Sequence, residues 1–239
     1  MHGGTSQTDS GRAQGPPPSS PWFAGVLLST LLALCVLVAA GVGEPTLARF
    51  ASAGALGVAV LGPFVAASAG RAGPAAFQAF AGAMPWIGAT AVAAGGAGLG
   101  VGVVVTSAVP LLVWAGSAVL VGDVAGRRWG ARRGGVFGAL LMLCVWGLDL
   151  AAELTPGALG FALDLVRPGR AFAHASVGAL DLRDGLSLLM LPAGAGLLGR
   201  RAALGRAAAS PTVLRNATLR AVLVPCVLFA LLLAVQGQP

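Results

Sequence analysis

The chain has 239 residues, 56% hydrophobic and 10% charged, where a soluble domain carries about 25% charged residues. So little charge cannot cover a water-facing surface, and the composition points to hydrocarbon as the solvent for most of the chain. The formal charge of +7 comes from arginine alone, in short clusters between apolar runs, which fits control of membrane topology and argues against nucleic-acid binding.

Residues Met1 to Pro21 are polar and rich in Gly, Ser and Pro, and are predicted to form a disordered cytoplasmic tail. A transmembrane domain is predicted over 22–200, a basic cytoplasmic linker over 201–218, and a seventh membrane helix with a short tail over 219–239. The fold class is all-α: a polytopic transmembrane helix bundle of six to seven spans. A span needs ~20 mostly apolar residues, and the runs 22–43, 51–70, 76–98, 101–122, 134–153, 184–200 and 219–236 supply them. The first opens on Trp22, an interface residue. It exceeds the ~7–15 apolar residues of a signal-peptide core, so it reads as an uncleaved span.

No charge falls between Ala75 and Val121, so the glycine run Gly95, Gly96, Gly98, Gly100 and Gly102 is predicted to divide two helices there. Gly98 and Gly102 also have the small-xxx-small spacing of a helix crossing, although glycine is frequent throughout. Asp123 and Arg127 are predicted to pair at a membrane surface as i and i+4. Asp149 and Glu153 are also four apart and share a helix face. They either mark a helix end emerging into water or form a carboxylate pair for a cation or proton.

The stretch from Pro156 to Val177 alternates Leu159, Phe161, Leu163, Leu165 and Phe172 with Asp164, Arg167, Pro168 and Arg170. It has too many breaks to span, and one or two short interfacial or re-entrant helices are predicted before the sixth span. Gly178 to Asp184 reads as a helix N-terminal cap with acidic first-turn residues, which a helix dipole favours. The other reading gives Arg183 a gate or dimer-interface role with an acidic partner. Arg200 to Arg220 is predicted to lie on the anionic cytoplasmic leaflet, or to touch a partner protein.

An N-terminus in the cytoplasm places eleven of the fifteen arginines inside: Arg12, Arg71, the group at 127–133 and the group at 200–220. Only Arg49, Arg167, Arg170 and Arg183 then lie outside, as the positive-inside rule prefers. The three cysteines, Cys35, Cys144 and Cys226, sit in apolar runs without metal-ligand spacing. Their odd number argues against a disulfide framework, and they read as small packing residues. Ser117 has no histidine within a span to activate it, so no catalytic, cofactor or metal site is expected.

The order over 136–201 is an apolar span, short outer helices carrying Phe172 and His174, then Gly178, then Leu180 to Asp184 leading a last span. This resembles the ABC-2-type transporter permeases, closest to the small bacterial permeases of the gliding-motility and nitrous-oxide-reductase-maturation kind. Where such permeases carry an acidic segment after the second span, this chain has a short loop at 66–78 with Arg71 its one charge. The resemblance implies a permease subunit of an exporter in the bacterial inner membrane. It implies a homodimer or paired permease, and a separate ATPase subunit docked on the cytoplasmic side. The chain contains no lysine and hence no phosphate-binding loop of its own. Asp181, Arg183, Asp184, His174, Asp149 and Glu153 are the candidate gate or interface residues. A non-transporting membrane scaffold or assembly protein is the alternative.

Overall fold

A computed structural model describes residues 21–40, 44–69, 75–206 and 210–236. The N-terminal tail, including Arg12, and the loop around Arg71 lie outside the described residues, as does the side chain of Trp22. Every element is a helix, and the described residues hold no strand. In chain order they are α1 (Pro21–Ala40), α2 (Glu44–Ala69), α3 (Ala75–Gly96), α4 (Val101–Trp129), α5 (Ala131–Trp146), α6 (Leu148–Leu154), α7 (Gly157–Val166), α8 (Gly169–Ser176), α9 (Leu182–Arg206) and α10 (Pro211–Gln236). Among the described residues the seven apolar runs fall on helices, the fifth of them divided between α5 and α6. Two helices among the described residues, Val101–Trp129 and the α5–α6 unit Ala131–Leu154, are long and apolar enough to cross a membrane.

Several boundaries move outward from the expected ones. α4 continues past residue 122 because Arg127 Nε donates to Asp123 Oδ1 at 2.8 Å, an i, i+4 pair that supports another turn. The stretch 201–218 is not a free linker: α9 runs to Arg206 and α10 begins at Pro211. Proline suits the first turn of a helix, where its missing N–H is no loss. Two short helices, α7 and α8, occupy the predicted semi-polar stretch.

The glycine run after α3 is the turn. Gly98 has φ +71°, and the N–H groups of Leu99 and Gly98 donate to the carbonyls of Ala94 and Gly95. That is a Schellman stop, which needs a left-handed residue. Gly98 and Gly102 do not mark a helix crossing, since a Cβ on either would meet nothing within 4 Å among the described residues.

The crossings lie elsewhere. A Cβ built on Gly122 would come 2.5 Å from Pro63 Cα, one on Gly134 2.5 Å from Gly126 Cα, and one on Gly138 2.7 Å from Pro63 Cβ. Glycine thus brings the backbones of α2, α4 and α5 together where no side chain fits. The rest of the core is mostly alanine, filled by Trp86, Trp114, Leu111, Met142 and Phe172. Both tryptophans place their N–H groups: Trp86 Nε1 donates to Ser29 Oγ and Trp114 Nε1 to the Ala55 carbonyl, each at 2.9 Å.

The larger aliphatic side chains face outward instead. Leu31, Leu34, Val92, Val105, Val136 and Leu140 are all exposed. The cysteines follow them: Cys35, Cys144 and Cys226 are exposed rather than packed inside, because they fall on the helix faces that turn away from neighbours.

Gly122→Val is expected to lower stability in detergent by about 1–3 kcal/mol, since the obstacle is backbone that cannot rotate away. Gly116→Val is the matched control, because its Cβ would meet nothing within 4 Å among the described residues. Equal losses in thermal unfolding would mean that the α2–α4 contact is not where the bundle is tight.

Candidate functional site

The bundle has two unlike ends. α4 starts beneath α8 and finishes among Arg127, Arg128, Arg132 and Arg133, and α9 runs the same way, from Asp184 beside α8 to Gly199, which meets Val124. Opposite this arginine end, α6, α7, α8 and the start of α9 form a polar cap.

α8 is the centre of that cap. Its Ala171, Phe172 and Ala175 are fully buried against α4, α2 and α9. Ser107 Oγ on α4 donates to the Ala175 carbonyl at 3.1 Å, which satisfies a helix-end acceptor, and Thr106 Oγ1 lies between that carbonyl and those of Gly102 and Val103 in its own helix. Gly178, with φ +80°, ends α8. Ala179 N donates to the His174 carbonyl and Gly178 N to that of Ala175, a second Schellman stop. Phe172 stands edge-on to Trp114 and Trp146, with centroids 6.3 and 5.6 Å away. Beside them a cleft of about 230 Å³ opens between Val145, Val166, Leu188 and Leu191.

Asp184 is the buried ion, at 1% exposure. Its Oδ2 accepts from His174 Nδ1 at 2.8 Å and from the Asp181 backbone N–H at 3.2 Å. Arg170 Nε lies 3.9 Å from Asp184 Oδ1. With Asp181 as the N-cap of α9, Asp184 sits at the third helical position and reaches back to the cap N–H, as one arm of a capping box does. Asp181 Oδ1 in turn accepts from Leu182 N at 2.6 Å. The capping reading of Gly178 to Asp184 therefore has its hydrogen bonds. Arg183 has an acidic neighbour only two residues away, with its Nε 3.4 Å from Asp181 Oδ2.

The ion pairs continue outward from Asp184. Arg170 Nη1 reaches Asp164 Oδ2 at 3.2 Å, Arg167 Nε reaches Asp164 Oδ1 at 2.8 Å, and Arg167 Nη1 lies 3.9 Å from Glu153. Arg167 Nε is buried but out of line for a hydrogen bond, so that link is Coulombic alone. Asp149 and Glu153 do not act as a carboxylate pair. Gly169 N shares its one hydrogen between the two oxygens of Asp149, at 3.0 and 3.1 Å, and so Asp149 caps α8. A Cβ on Gly169 would lie 2.5 Å from Asp149 Oδ1, so glycine permits the approach. Glu153 is mostly exposed.

The six residues singled out by sequence thus gather on one cap, and Asp164, Arg167 and Arg170 link Glu153 to Asp184. Their signal was visible as the polar half of the alternation over 159–172. The hydroxyls nearby are committed to backbone: Ser187 Oγ donates to the Asp184 carbonyl and Ser176 Oγ to that of Ala173. Among the described residues no three His, Cys, Asp or Glu side chains converge as a metal site requires. The arrangement is suited to holding four helices in fixed register. No protein-family model, curated protein or solved structure matches this chain.

Proposed function

We propose that this chain is the membrane-spanning permease subunit of an ABC-type exporter in the bacterial inner membrane, energised by a separate ATPase. It crosses the bilayer six or seven times with its N-terminus in the cytoplasm. The observation that carries this reading is the buried Asp184–His174–Arg170 link. It lies within the segment through which the chain resembles the ABC-2-type permeases, and it ties short cap helices to a long one.

The membrane setting has its own support. Alanine and glycine fill the interior while leucine and valine face out, the reverse of a water-soluble bundle. A 20-residue helix is about 30 Å long, the thickness of a hydrocarbon core, and α1, α2, α3, α9 and α10 each have at least that many residues. Arginine gathers at one end, which is the cytoplasmic end by the positive-inside rule. The cap of α6, α7 and α8 then lies at the outer interface.

A non-transporting membrane scaffold is the second reading, and the closely packed backbones of α2, α4 and α5 favour it, since rigidity serves assembly. Purification decides between the two. Tagged protein extracted in mild detergent is expected to bring down an ATPase subunit in stoichiometric amount, and the pair should hydrolyse ATP. Recovery with other membrane proteins but without an ATPase would sink the exporter reading and leave the scaffold.

A further inference from the structure

α9 and α10 pack against each other, and near their junction they enclose a cavity of about 200 Å³. From α9 it is lined by Leu197, Arg200 and Leu204, spaced i, i+3 and i+7. From α10 it is lined by Val213, Asn216 and Arg220, again i, i+3 and i+7. Each set is one helix face, so the two faces bring two guanidinium groups and an amide to one apolar-walled site.

These charges have no counter-charge of their own. After Asp184 the sequence contains no acidic residue at all, while Arg200, Arg201, Arg206, Arg215 and Arg220 follow. Among the described residues no carboxylate comes within ion-pair distance of Arg200 or Arg220. Asp123, at the same end of the bundle, is taken by Arg127. Two like charges converging on one cavity repel unless an anion sits between them. A phosphate offers oxygens on several sides, which matches paired guanidinium forks and an amide N–H.

We propose that the α9–α10 cavity binds the phosphate headgroup of an anionic phospholipid. The surface beyond the cavity selects a lipid over a free phosphate. On α10, Leu219, Val222, Leu223 and Val227 are all exposed, and they form an apolar track on which acyl chains lie while the headgroup stays among the arginines. Basic pockets between helices at the cytoplasmic face are known to hold such headgroups. This inference rests on the membrane setting proposed above but not on the exporter role, so a failed ATPase co-purification leaves it standing.

The test uses the full chain, purified in detergent and stripped of lipid. Phosphatidylglycerol is titrated in and bound lipid is counted by native mass spectrometry. Arg200→Gln/Arg220→Gln is expected to weaken binding by about tenfold or more, a large share of what paired charge-assisted contacts supply. Arg201→Gln/Arg215→Gln removes the same charge from exposed positions outside the cavity and should change binding by less than about twofold. Asn216→Leu keeps every charge and fills the site. It should also weaken binding by about fivefold, which covers the case in which the double variant fails to fold. Phosphatidylcholine should bind much more weakly, and inorganic phosphate should not displace the lipid. Equal losses in the two double variants would overturn the proposal, because the effect would be diffuse charge. So would displacement by inorganic phosphate, or a partner protein that needs these arginines while lipid binding does not.

Discussion

Arg170→Ala/His174→Ala is expected to cost about 3–5 kcal/mol of stability in detergent, more than removing Asp184 itself. The reason is an asymmetry in what each change leaves behind. Asp184 is buried to 1% exposure, while His174 and Arg170 reach partial solvent, at 40% and 23% of their side chains. Removing the two partners leaves a carboxylate in the cap with only the Asp181 N–H and the start of α9 to support it. Removing the carboxylate strands nothing: Arg170 keeps Asp164, and the His174 side chain reaches solvent. Asp184→Ala should therefore cost about 1–3 kcal/mol, the worth of its charge-assisted hydrogen bonds. The triple variant Arg170→Ala/His174→Ala/Asp184→Ala should be more stable than the double. Thermal unfolding of the four proteins in one detergent checks the order. If the triple variant is the least stable, each contact adds independently and Asp184 is not a buried ion. Glu153→Gln, at the exposed end of the same chain of ion pairs, should stay within about 1 kcal/mol of the parent.

The sequence carried the helices further than the contacts. Seven apolar runs predicted seven helices because a run of such length in a chain this poor in charge has few other ways to satisfy its backbone. Their ends were less legible: nothing local says whether Asp123 and Arg127 stop α4 or extend it, and they extend it by pairing. The glycines divided in a way that spacing could not foresee. Gly98 and Gly102 had the spacing of a crossing but lie in open space, whereas Gly122 and Gly138 meet Pro63, which is far away in sequence. The cap residues were found singly, as charges near an apolar segment. That Asp149 caps α8, twenty residues on, and that Asp164 and Arg170 join Glu153 to Asp184, depends on how three short helices fold over one another. A linear pattern does not encode that.

Trp114 joins these levels, and its loss should be as costly as that of the ion pairs. Trp114→Ala is expected to destabilise the bundle by about 3–5 kcal/mol. In a membrane setting the loss is not hydrophobic transfer, since lipid is as apolar as the core. It is the forfeited dispersion contact around a cavity that alanine cannot fill, and the Ala55 carbonyl loses its donor as well. The neighbours can close little of that cavity. Trp146 and Phe172 meet the ring edge-on, Leu111 and Ala115 belong to the same helix, and the adjacent 230 Å³ cleft already lacks filling atoms. The damage should concentrate at α8, because Phe172 on that helix packs edge-on against Trp114. Hydrogen exchange at Ala171 to Ser176 is therefore expected to quicken well before α2 or α4 opens. Trp114→Phe keeps most of the ring and gives up the N–H, so it should cost nearer about 1 kcal/mol. Trp129, exposed at the arginine end and stacked among the described residues on Phe137 and Arg128, sets the scale: Trp129→Ala should cost no more than about 0.5–1 kcal/mol. Comparable losses at Trp114 and Trp129 would place the tightest packing elsewhere, and would leave the cap with no rigid floor from which Asp184 could hold α8 in place.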